Sequence, residues 1–243
     1  MRFLILFLFI FFCSCREHNK HLIDPKARLL NDRAATIIRN TNDYEKGIAL
    51  YDEAIKIDSE YLVPVKNKLL CQITLKQYQN ALKTASKLHK MRPEAPDYFV
   101  IIGILYENLR DSINSKIYFN NALPYYDRDL DTIKKGSYSY ETHLLNKALD
   151  LILVGQEQEG NQIIKKLYEK QTDEIHKYSF SVFMNKPRQF IIEHYFLRIP
   201  PAKYTKYIIF SLHSFDSQSK SYGANYNQAQ KNAKNPIGDS CFA

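Results

Sequence analysis

One period dominates this chain: small and large residues recur every 34 positions. The small residues Gly47, Ala81 and Ser115 are spaced at that interval. So are Tyr51, Ala85 and Phe119, and so are Ala54, Leu88 and Ala122. Upstream of the third set stand Phe99, Ile102, Gly103 and Tyr106, at helical spacing. Small residues three and four positions from large ones let two helices approach closely while the large side chains fill the gap beside them. A fixed period of this length is the mark of stacked helix pairs, each unable to bury its apolar face alone.

These residues resemble the tetratricopeptide repeat (TPR), a helix-turn-helix unit of 34 residues. In that family an aromatic, a Leu-Gly pair and a Tyr mark the first helix. Ala, an aromatic and Ala mark the second, and Pro closes the unit. Phe99, Ile102, Gly103 and Tyr106 match the first helix; Ser115, Phe119 and Ala122 match the second; Pro93 closes the unit before. The resemblance implies units at 28–61, 62–95 and 96–129. A fourth follows an inserted loop at 130–140, its helices near Glu141–Val154 and Glu157–Lys170. There Ala148 stands in the Gly103 role, Gly160 in the Ser115 role and Ile164 in the Phe119 role. Asn31 takes the place of the aromatic in the first unit. The expected fold is therefore all-α: a TPR-type solenoid of three to four helical hairpins over 28–170.

The N-terminus sets a different expectation. Met1 and Arg2 precede ten apolar residues, Phe3 to Phe12. Ten residues make a helix of roughly 15 Å, about half a bilayer core. A basic start with a short apolar run reads as a secretory signal. Phe12-Cys13-Ser14-Cys15 resembles the lipobox of bacterial lipoproteins, with Phe12 in place of the usual Leu. The resemblance implies cleavage after residue 14 and a lipid, palmitate among its chains, on Cys15. Acylation of Cys13, plain secretion and an uncleaved anchor are the alternatives. Residues 15–27 then read as a tether. The location implied is the bacterial cell envelope, lipid-anchored at the outer membrane or the periplasmic face of the inner membrane.

Beyond residue 170 the period is lost. Residues 171–215 read as a capping segment, with one or two helices interrupted at Pro187 over 174–197. Phe190, Ile191, His194, Tyr195 and Leu197 have apolar helical spacing. Residues 216–243 are rich in Ser, Asn, Gln and Lys and read as a disordered tail. The net charge is +8, and residues 171–243 hold nine Lys/Arg against five Asp/Glu. That basic surface carries no nucleic-acid-reading motif, so nucleic acid is not an expected partner.

Catalysis is not expected. Seven His residues occur, none in His-Glu-x-x-His or zinc-ligand spacing, and no metal or cofactor is expected. Nucleophile-elbow, phosphate-loop and dinucleotide fingerprints are missing. Cys71 falls on an apolar helix face and reads as a small buried hydrophobe.

The family resemblance implies a concave groove lined by the first helices. By position, its lining is Arg33, Thr36, Arg39 and Asn40; then Lys66, Asn67, Leu70 and Thr74; then Val100, Ile101, Ile104 and Asn108; then Asn146, Leu149 and Leu153. The polar half suits an acidic or carboxylate-bearing peptide, which Arg can bind bidentately. The apolar half, with Leu145 and Ile152, would form a large bare patch, which proteins seldom leave uncovered. The segment around 174–212 is expected to fold back over it. The resulting expectation is a membrane-anchored, non-catalytic protein-interaction scaffold or assembly factor whose partner is another envelope protein or peptide. A binding subunit that captures a small molecule or glycan for a transporter is the alternative.

Overall fold

The computed structural model describes residues 21–195, and every regular element in that span is a helix. They are α1 (Pro25–Thr41), α2 (Tyr44–Ile57), α3 (Leu62–Thr74), α4 (Tyr78–Met91), α5 (Pro96–Asn108), α6 (Ser112–Thr132), α7 (Tyr138–Leu153), α8 (Glu157–Lys170), α9 (Glu174–Phe183) and α10 (Arg188–His194). The all-α hairpin architecture is the one the 34-residue period demands. The expected signal peptide, Cys15, residues 196–215 of the capping segment and the tail lie outside the described residues.

Local chemistry sets the helix boundaries. Pro25 and Pro96 open α1 and α5, where a missing N–H costs nothing. Asp24, Asp43, Asp111 and Ser137 cap α1, α2, α6 and α7 by accepting bonds from backbone N–H groups of the first turn. Each hairpin turn contains one left-handed residue: Asn42, Lys76, Arg110 and Gly155. The first three are 34 apart, and Gly155 falls eleven residues later than the next step would place it. The repeat is thus written into the backbone as well as the core.

Two boundaries differ from the sequence expectation. The tether expected over 15–27 ends early, because Asp24 caps a helix that starts at Pro25. The inserted loop expected at 130–140 is mostly helix: α6 continues to Thr132 and α7 starts at Tyr138. Buried Tyr126 and Leu130 extend the apolar face of α6 past Pro124, which tertiary packing holds inside the helix at exposed Asn120.

The chain divides into two compact units between Cys71 and Gln72, within α3. In the first, Ala27 and Ala54 pack with Tyr61, and Ala34 with Tyr51 and Cys71. Asp58 ties this unit together. Its carboxylate accepts bonds from the His21 ring at 2.8 Å, from Asp24 N at 3.0 Å and from Tyr61 N at 3.1 Å. In the second unit, α5 packs with α4 and α6, α7 with α6 and α8, α9 with α8, and α10 with α7. Gly103 lies so close to Phe119 that a Cβ would sit 2.5 Å from its ring. At Gly160 a Cβ would overlap the backbone oxygen of Ala148. The small–large repeat positions are therefore the helix contacts: Gly47, Tyr51, Ala54, Ala81, Ala85, Phe99, Ile102, Gly103, Ser115, Phe119 and Ala122 are buried, and Tyr106 is half-buried.

Candidate protein-interaction surface

In the first unit, α1 buries Ala27, Asn31 and Ala34 and turns its other side to solvent. Leu29, Arg33, Thr36 and Asn40 are all exposed. At about 100° per residue they form one row along the helix, with Arg39 at its edge. Neither Arg33 nor Arg39 has an ion pair among the described residues. Beside this row, Asn67 on α3 donates to Asn31 Oδ1 at 3.0 Å. That bond uses the polar residue that replaces an aromatic at position 31. Lys66, Asn67 and Leu70 are half-buried. Burial raises the pKa of Cys71 to about 11, so its thiol stays protonated and behaves as a small apolar group.

The second unit treats its leading helices differently. Val100, Ile101, Ile104, Asn146, Leu149 and Leu153 are buried, and so are Leu145 and Ile152. As groove residues they are not presented to a partner in this arrangement. Asn108 and Thr74 are exposed, and Asn108 donates its amide to Ile104 O. Sequence reasoning assigned these positions by family register, which fixes the helix face but not what lies on top of it. Over α7 the chain itself supplies part of the cover. Arg188 at the start of α10 pairs with Glu107 on α5 and donates to Leu153 O on α7 at 2.8 Å. Ile191, Ile192 and Tyr195 follow and are buried.

On α7, the helix that α10 packs against, and on the neighbouring α5 and α6 lies a polar cluster that sequence reasoning missed. Asp97 on α5 accepts from Tyr126 on α6 at 2.9 Å and from Asn146 on α7 at 3.0 Å. Asp150 on α7 is fully buried nearby. Neither of its oxygens has a hydrogen-bond partner among the described residues. Burial, reinforced by the charge of Asp97, raises its pKa to about 8, so it carries a proton at pH 7. Burial likewise pushes the Tyr126 hydroxyl up, with Asp97, Tyr195 and Asp150 adding to the effect. The detectable signal was a lone Asp inside the apolar run Leu149–Leu153.

A second group joins α4, α5 and α6. His89 meets the Phe99 ring edge-on at 4.4 Å, Phe99 stacks on Tyr125 at 5.1 Å, and Tyr106 on Tyr118 at 5.5 Å. Arg128 lies 5.0 Å over Tyr125. Burial lowers the His89 pKa, so its ring is neutral and serves the packing. No group of three or more His, Cys, Asp and Glu residues suited to a metal is found among the described residues. No helix among them is long and apolar enough to cross a membrane.

Among the described residues the fold is all-helical, built of successive helical hairpins, with leading helix α1 open and polar and leading helices α5 and α7 largely buried. No family model matches the chain. No curated protein matches it either. Among solved structures it is similar to YrrB, described as a TPR protein with an unusual peptide-binding site. The two share 16% identity at a TM-score of 0.41, over 84% of this chain and 92% of that one.

Proposed function

We propose that this chain is a non-catalytic, TPR-like protein-interaction module, held by a lipid on Cys15 at the bacterial cell envelope. The observation that carries the interaction reading is the exposed row Leu29, Arg33, Thr36 and Asn40 on α1, with Arg39 beside it. An apolar residue followed by cations without ion pairs suits an extended segment bearing an apolar side chain and a carboxylate. The rim of such a contact gives specificity and association rate more than raw affinity. The anchoring part of the reading rests on Arg2, the apolar run Phe3–Phe12 and Ser14-Cys15.

The test is an array of acidic peptides with free C-termini, probed with the full chain and with its Arg33→Glu/Arg39→Glu variant. A set of peptides retained by the wild type and released by the variant is the expected result. Equal retention by both proteins, or none by the wild type, would reject the peptide-binding reading. Mass spectrometry of the N-terminal fragment from the native membrane checks the anchor separately: an acylated peptide beginning at Cys15 is expected, and an unmodified one rejects it.

A further inference from the structure

Asp150 is a carboxyl group placed where its charge has no support. It sits on α7, between α6, α8 and α10. From α5 it is faced by Asp97, and at Tyr126 of α6 it shares surroundings with Tyr195, the residue that ends α10. From α8 the contact is Gly160 against Ala148 and Ile152, which brings no charge. The basic groups nearby on α7 are engaged elsewhere: Lys147 pairs with Asp127, and His143 lies 3.9 Å from Asp129. On α10, Arg188 is committed to Glu107, Glu193 accepts from Gln189, and the His194 ring lies flat on Phe190. Among the described residues, then, the charge that acts on Asp150 is another carboxylate.

The element that packs on α7 beside this cluster is short. α10 has seven residues, anchored by Arg188 at one end, by Ile191 and Ile192 within it and by Tyr195 just after it. A neutral Asp150 tolerates that cover. An ionised Asp150 does not, because a buried charge without a partner favours any arrangement that admits water.

We propose that α10 is a proton-controlled latch: with Asp150 protonated it closes over α7, and loss of that proton releases it. The direction follows from linkage. Asp150 binds its proton more tightly when covered, so the closed form is favoured fully at pH values below the ordinary Asp range. That preference is lost as pH rises through about 8. Between these limits the open population rises by up to about tenfold per pH unit. Opening would uncover Leu149 and Leu153, extending the interaction surface. Only that consequence rests on the function proposed above; the latch itself rests on packing.

The experiment is NMR on the full chain from pH 5 to 9.5, following the Asp150 carboxyl carbon and the δ-methyls of Ile191 and Ile192. The carboxyl is expected to titrate between the ordinary Asp range and the value of about 8 that belongs to the closed form, with the methyls shifting toward solvent-exposed positions at the same midpoint. In D150N and D150L the methyls should stay docked throughout. A carboxyl that titrates while the methyls stay still overturns the latch. So does a carboxyl that titrates in the ordinary Asp range, or a wild-type-like methyl transition in either variant. The peptide array does not enter this readout, so the two proposals fail separately.

Discussion

α1 and α7 hold the same position in their hairpins and meet opposite fates. α1 buries three residues, all small or polar, and leaves a row of Leu, Arg, Thr and Asn in water. α7 buries nine, from His143 to Leu153, because α10 packs against it as well as α6 and α8. The hairpin plan therefore does not decide whether a leading helix is a surface or a core element. Its outward side chains do: Arg33 and Asn40 cannot be covered without partners for their polar groups, whereas Leu149 and Leu153 invite cover.

The sharpest way to break this contrast is the same substitution on both faces. Ile191→Asp puts a charge into a fully buried position and is expected to cost about 4 kcal/mol of stability. It should also undock α10. Leu29→Asp, on an exposed position of α1, should stay within about 0.5 kcal/mol. Chemical denaturation of both variants reads the difference, and equal effects would mean that α10 does not cover α7 in solution.

A glycine series sharpens the comparison at the hairpin contacts. Gly160→Ala drives a Cβ into the backbone oxygen of Ala148, which cannot step aside, and should cost about 3 kcal/mol. Gly103→Ala meets the Phe119 ring and should cost about 2 kcal/mol. Gly47→Ala meets the far end of Ile38, a side chain that can rotate away. There the gain in helix propensity, up to about 1 kcal/mol, offsets the crowding and leaves the variant near wild type. The order of the three midpoints in urea is the measurement.

The two units should also answer pH with opposite signs. At Asp58 burial alone would raise the pKa, but bonds from Asp24 N, His21 and Glu60 N outweigh it and hold the pKa below the ordinary value. That group stabilises the first unit above the unfolded-state pKa, and the contribution is lost as pH falls through the folded one. Asp150 does the reverse: its contribution is present in acid and lost as pH rises through about 8. Urea unfolding at pH 2.5, 6 and 8.5 should thus show Asp58→Asn losing its effect only at the lowest pH. Asp150→Asn should stabilise most at high pH.

Much of the fold was legible because the repeat has a physical cause. Gly103 and Phe119 must meet, so their spacing announces the helix pair. The length of α6 was not legible, since residues 130–140 read as an inserted loop while buried Tyr126 and Leu130 carry the helix on to Thr132. The surface was half legible. Register places Arg33 and Ile101 at corresponding positions, but cover depends on a contact between α10 and α7 that joins residues some 40 apart and follows no period. The Asp97–Asp150 pair was only half visible for the same reason: Asp150 stands alone in an apolar run, but its pairing with Asp97 appears only once α5 and α7 come together around α6.

The smallest expected effect concerns the turns that both units share. Lys76 and Arg110 adopt φ values of 56° and 63°, in the left-handed region where a Cβ crowds the backbone. Gly155 supplies the same turn between α7 and α8 without that strain, and Asn42 does so with a residue type that tolerates it. Lys76→Gly and Arg110→Gly should therefore stabilise by about 0.5–1 kcal/mol each, the relief of strain exceeding the added freedom of the unfolded chain. Gly155→Ala should destabilise by about 1–2 kcal/mol, although no atom lies near its Cβ position, because the cost is in the backbone alone. Thermal unfolding of the three variants separates turn strain from core packing. A loss of stability in Lys76→Gly would show that the long side chain, not the turn conformation, holds that position.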